Sequence, residues 1–113
     1  MNIEDFREYC LSLGDVEEKL PFAKMPGGDT VLVFYVGVHT FCYCDIDCFE
    51  MVVVKCQTER IPELLESTPG VCPPDSHFNA KHWISLDVHV IAPKTLKTLV
   101  ANSYTLVRKK HKH

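Results

Sequence analysis

The sequence predicts an α+β domain: an antiparallel β-sheet with helices packed on one face, a two-layer sandwich. Three observations carry that prediction. Apolar residues recur at helical spacing near both ends of the chain. The middle holds short runs of β-branched and aromatic residues. The connections between those runs are too short for parallel crossovers. With 113 residues, 46% of them hydrophobic, the chain can fill one core. Residues 1–113 are therefore read as a single domain, with 108–113 a basic tail expected to be flexible.

The elements follow in order. In "NIEDFREYCLSL", Ile3, Phe6, Cys10 and Leu13 form one stripe of a helix, with Asn2 as its cap and Gly14 as its stop. "VEEKLPF" is a short extended piece that Pro21 confines to an edge or a bend. "MPGGD" is a turn. "TVLVFYV" is a strand, "GVH" a tight reversal, and "TFCYCDI" its hairpin partner. "EMVVVKC" completes an antiparallel meander. The period changes at Thr58, which is expected to cap a helix through Ser67, with Pro62 in its first turn and Ile61, Leu64 and Leu65 on its apolar side. "TPGVCPPD" reads as loop, and "HWISLDVHV" as another strand. Pro93 opens a last helix whose inner stripe is Leu96, Leu99, Val100, Ser103 and Val107. Such a sheet leaves its second face to solvent unless something covers it.

Apolar runs such as "VLVFYVGV" are too short to span a bilayer, so no membrane association is expected. The start, "MNIEDF", is acidic rather than signal-like, which points to the cytoplasm and to reduced thiols. Six cysteines are present. Cys42 and Cys44 share one strand face with Cys48 close by, but the paired spacings of structural zinc are missing. No metal or other cofactor is expected.

The net charge of −3 hides an asymmetry. Residues 1–75 hold five cations against fourteen acids, a balance of −9. Residues 76–113 hold seven cations against Asp87 alone, a balance of +6. Such a dipolar surface can steer an anionic partner to one end, although "RKKHKH" also reads as a solvated terminus.

"HFNAKHWISL" (77–86) is the segment densest in chemistry. Alternation sends Ile84, Leu86, Val88 and Val90 toward the helices, with His82 at their parity as a hydrogen-bonded imidazole. Lys81, Trp83, Ser85, Asp87 and His89 then share the opposite face. There the sole Trp either covers the sheet against Phe78 or Pro73, or presents a flat ring beside cations for recognition.

The strings "PF" (21–22), "VFYVG" (33–37), "KC" (55–56), "PGVCP" (69–73), "HFNAKHW" (77–83) and "SYTLV" (103–107), in that order, resemble the MmcQ/YjbR family over nearly the whole chain. The resemblance implies small bacterial cytoplasmic proteins with a sandwich related to the frataxin-like and secretion-chaperone-like folds. It also carries a DNA-binding label. The matching polar positions are Lys55, Lys81, His82 and Trp83. Where the family commonly has a hairpin lysine after the glycine, this chain reads Val38-His39-Thr40, which removes one phosphate contact. The Cys42, Cys44 and Cys48 cluster is a second departure.

Two binding functions compete. In the first, Lys55, Lys81, His82 and Trp83 join Lys94, Lys97, Arg108, Lys109 and Lys110 in a basic and aromatic surface for DNA without sequence-specific readout. In the second, the open sheet face docks a protein partner or a second copy as a homodimer, with no nucleic acid involved. No nucleophile elbow, phosphate loop or HExxH string is present, and no catalytic residue is assigned.

Overall fold

The computed structural model describes residues 1–110 of the chain. Helix α1 (Ile3–Leu11) precedes strands β1 (Val16–Lys19), β2 (Val31–Val36), β3 (His39–Asp45) and β4 (Met51–Lys55). A 3₁₀ turn (Thr58–Arg60) leads into α2 (Ile61–Ser67). Strands β5 (Val71–Cys72) and β6 (Trp83–Asp87) and helix α3 (Pro93–Lys110) follow. The six strands form one antiparallel sheet in the order β1-β2-β3-β4-β6-β5.

The inward set obeys the alternation. Leu32, Phe34, Cys42, Cys44, Val52, Val54, Ile84 and Leu86 are buried under the helices. Phe6 and Cys10 meet them from α1, and Leu96, Leu99, Val100, Tyr104 and Val107 from α3. Asn2 caps α1 by accepting the Asp5 N–H at 2.8 Å. A bulge between β2 and β3 leaves Phe41 as an extra residue, and its ring still turns inward, edge-on to Tyr104 at 5.5 Å. Ser103 secures this region. Its buried hydroxyl donates to the Phe41 carbonyl at 2.6 Å and accepts the Lys55 N–H at 2.9 Å. A serine in the apolar stripe of α3 is thus fully used, as buried polar groups must be.

Several expectations change. The segment "TPGVCPPD" is not all loop, because Val71 and Cys72 pair with Leu86 and Ser85. Strand β6 stops at Asp87, whose backbone begins a turn that leaves Val90 exposed rather than in the core. Thr58 does not cap α2. Its hydroxyl donates to the Lys81 carbonyl at 2.7 Å, tying the loop before β6 to the turn after β4. Leu65 is exposed, so the apolar side of α2 reduces to Ile61 and a half-buried Leu64. Helix α1 ends at Leu11, with Ser12 as its C-cap rather than Gly14.

The second face of the sheet is partly covered, and by the chain itself. Two irregular segments, 20–30 and 73–82, fold toward it, and Val33 and Ser85 are buried there. The first segment closes on itself through Met25 N–H to Phe22 carbonyl and Gly28 N–H to Met25 carbonyl. A Cβ at Gly28 would sit 2.6 Å from the Phe22 carbonyl oxygen, so this closure requires glycine.

Candidate binding site on the outer sheet face

Tyr43 and Val53 sit opposite each other on β3 and β4, at the parity that points away from the helices. Val53 faces Ser85, and Lys55 faces Trp83 on the same side. Phe78, carried by the 73–82 segment, lies edge-on to Tyr43 at 4.8 Å and tilted against Trp83 at 5.6 Å. Tyr43 and Trp83 are edge-on at 5.7 Å. The three rings form one half-buried platform. The Lys55 Nζ lies 5.8 Å from the Trp83 ring centre, within cation–π range.

Beside this platform is a groove of about 580 Å³. Tyr43, Val53 and Met51 line it from the sheet, Phe22 and Met25 from one loop, and Phe78 from the other. Phe22, Met25 and Met51 are exposed there, Met25 to 59%. The acidic side chains in its lining are Asp45 and Asp75. Asp45 accepts the N–H groups of Asp47 and Cys48 and the Thr30 hydroxyl, each at 2.9 Å. Partial burial pushes its pKa up, but these three hydrogen bonds outweigh burial and hold it below the usual carboxylate value. Asp75 accepts the His77 N–H and lies 3.2 Å from the His77 Nδ1.

The expected site residues do not gather on one surface. Lys55 and Trp83 meet, and Lys81 and His82 precede Trp83 in an exposed turn. His82 lies outside the strand and off the core: its ring is exposed, with Nδ1 3.1 Å from the Thr58 hydroxyl. Lys94, Lys97, Arg108 and Lys109 are exposed on α3, in the layer on the other side of the sheet. Lys97 lies 5.4 Å from the Tyr9 ring centre, and its carbonyl accepts the Tyr9 hydroxyl. The side chain of Lys110 and residues 111–113 of the basic tail lie outside the described residues.

The cysteines separate likewise. Cys42 and Cys44 do share a face, but it is the buried one, shared with Cys10, whereas Cys48 is exposed in a turn. Burial, reinforced by the neighbouring Cys10, raises the Cys42 thiol well above its ordinary value, and burial first pushes Cys44 up to about 12. These groups are neutral packing thiols. Among the described residues, no three His, Cys, Asp or Glu side chains are placed to hold a metal ion. No helix among them is long and apolar enough to cross a membrane.

The sequence pattern marks Trp83 and Lys55 but not the groove. Tyr43 and Val53 carried a signal, being bulky residues at the parity opposite Cys42, Cys44, Val52 and Val54. Phe22 and Met25 carried only their apolarity in a segment without a period.

Comparison with known proteins places the chain. The family model YjbR matches residues 11–106. A crystal structure of a Deinococcus radiodurans protein with the domain DUF419 superposes with a TM-score of 0.84 at 29% identity, covering 99% of this chain and 82% of that one. A Pseudomonas syringae protein of known structure superposes with a TM-score of 0.77 at 23% identity, covering 96% and 100%, a likeness of fold. No curated protein matches the chain.

Proposed function

This chain belongs to the YjbR family, and we propose that it is a binding module, without catalysis of its own, that holds an apolar side chain of a partner polypeptide in the outer-face groove. The observation that carries this reading is the groove itself: about 580 Å³, floored by Tyr43 and Val53 and walled by Phe22, Met25 and Phe78. That volume lies within the range of sites that enclose a bulky side chain or a small ligand. Burying a Leu- or Phe-sized group there would contribute about 1.5–3 kcal/mol.

Trp83, the chain's sole tryptophan, packs against two of the lining rings and reports on the site. Titration with acetyl-Ala-Leu-Phe-Leu-Ala-amide should change its emission saturably. Met25→Ala should weaken that binding about fivefold, on the order of one buried contact, and Lys94→Ala on α3 should leave it unchanged. An emission that stays flat at millimolar peptide would end this reading. Sedimentation of the same sample separates a partner segment from a second copy: a homodimer seated on this face would bury Met25 and block the peptide.

One observation favours nucleic acid as a second reading: Lys55 stacks on Trp83 with Lys81 exposed beside it. A single strand could lay a base on that ring with phosphates on the lysines. DNA binding of this kind would fall steeply with salt, and Lys81→Ala would flatten the slope by about one. Equal losses from Lys97→Ala or Arg108→Ala would instead implicate the helix layer.

A further inference from the structure

Resting on the groove reading above, we infer that the groove selects a peptide segment whose bulky apolar side chain is flanked by lysine or arginine. The polarity of the rim carries this. The acidic lining residues are Asp45 and Asp75; the lining contains no lysine or arginine, and its one basic side chain is His77, whose Nδ1 lies 3.2 Å from Asp75. The turn that follows Asp45 adds Asp47 and Glu50, both exposed, and Asp87 faces Met51 across the strands. An apolar trough is thus lined by two carboxylates, with Asp47 and Glu50 in the turn after one of them and Asp87 paired with Met51 of the lining.

The hydrogen bonds that Asp45 and Asp75 accept come from neutral N–H and O–H groups, or from an imidazole beside Asp75. They fix the carboxylates in place without neutralising Asp45. A cation arriving next to the trough therefore meets charge that is already oriented and needs no rearrangement. The same field opposes phosphate and carboxylate ligands at this end of the face. The lysine of the platform, Lys55, lies over the Trp83 ring, and exposed Lys24 adjoins Met25 in the chain without being part of the lining.

The test uses the full chain and three peptides: acetyl-Lys-Leu-Phe-Leu-Lys-amide and its Gln and Glu counterparts, read by Trp83 emission. At low salt the Lys peptide should bind about tenfold tighter than the Glu peptide, with the gap closing as salt screens the rim. The double variant Asp45→Asn and Asp75→Asn keeps side-chain acceptors for both turns and should level the three affinities. Should the double variant fail to fold, Asp75→Asn alone, on an exposed loop, should halve the gap. Three equal affinities in the unmodified protein would overturn the charge preference and leave the groove reading standing. No binding by any of the three would overturn both.

Discussion

On the helix side of the sheet, Leu32, Phe34, Val52, Ile84 and Leu86 meet α1 and α3 and are almost wholly removed from water. On the other side, Tyr43, Val53 and Trp83 meet two irregular segments and stay half-buried, with Phe22 and Met25 exposed at the margin. Both sides belong to the same strands and differ by one residue in register. Regular elements with a matching period can interdigitate along their whole length, whereas a loop touches a sheet at a few points and leaves room between them. The first side is where stability resides, and the second keeps a groove of about 580 Å³ open to solvent.

The sharpest way to break this comparison is to remove one aromatic ring from each side. Phe34→Ala removes a ring packed against Phe6 and Phe41 and should cost about 3–5 kcal/mol in denaturant unfolding. Trp83→Ala removes a larger ring, yet a half-buried one, and should cost about 1–2 kcal/mol. Equal losses would mean that the outer face is as much a core as the inner.

A second contrast is chemical. Cys44 has a folded pKa of about 12, above its ordinary value of 9.0, chiefly through burial. Its neutral form favours the fold. The contribution is complete below pH 9 and is lost as the pH rises toward 12. Cys44→Ala should lower stability at neutral pH and flatten the alkaline limb of a stability curve. A thiol reagent at neutral pH should reach exposed Cys48 quickly and Cys10 and Cys42 only on unfolding. Rapid labelling of Cys42 in the folded protein would refute a sealed inner side.

The smallest effect belongs to the groove wall. Met25→Ala should change stability by no more than about 0.5 kcal/mol, since that side chain is 59% exposed. A loss as large as that of Trp83→Ala would make the 20–30 segment a structural cover rather than one wall of an open groove.

How much of this was legible in the chain depends on periodicity. The α3 stripe Leu96, Leu99, Val100, Ser103 and Val107 is buried as the spacing required, and β2, β3 and β4 form the predicted meander. Trp83 faces away from the helices, against Phe78, as alternation and composition suggested. The two-residue strand β5 escaped notice because two residues carry no period. The expected placement of His82 and Val90 extends the β6 alternation past its ends, where turns take over. The proposed union of Trp83 with Lys94, Lys97 and Arg108 rested on their nearness in sequence and on net charge, neither of which records the side of a sheet.

The sequence by itself determined the α+β class, the order of the major elements and the inner core, since each follows from a local spacing of 2 or about 3.6 residues. Tertiary structure alone decided that segments 20–30 and 73–82 border the outer face and that Phe22, Met25, Phe78, Asp45 and Asp75 line one trough. In an aperiodic segment no rule links position in the chain to direction in space. Where its side chains end up is fixed only by the surface on which the segment comes to rest.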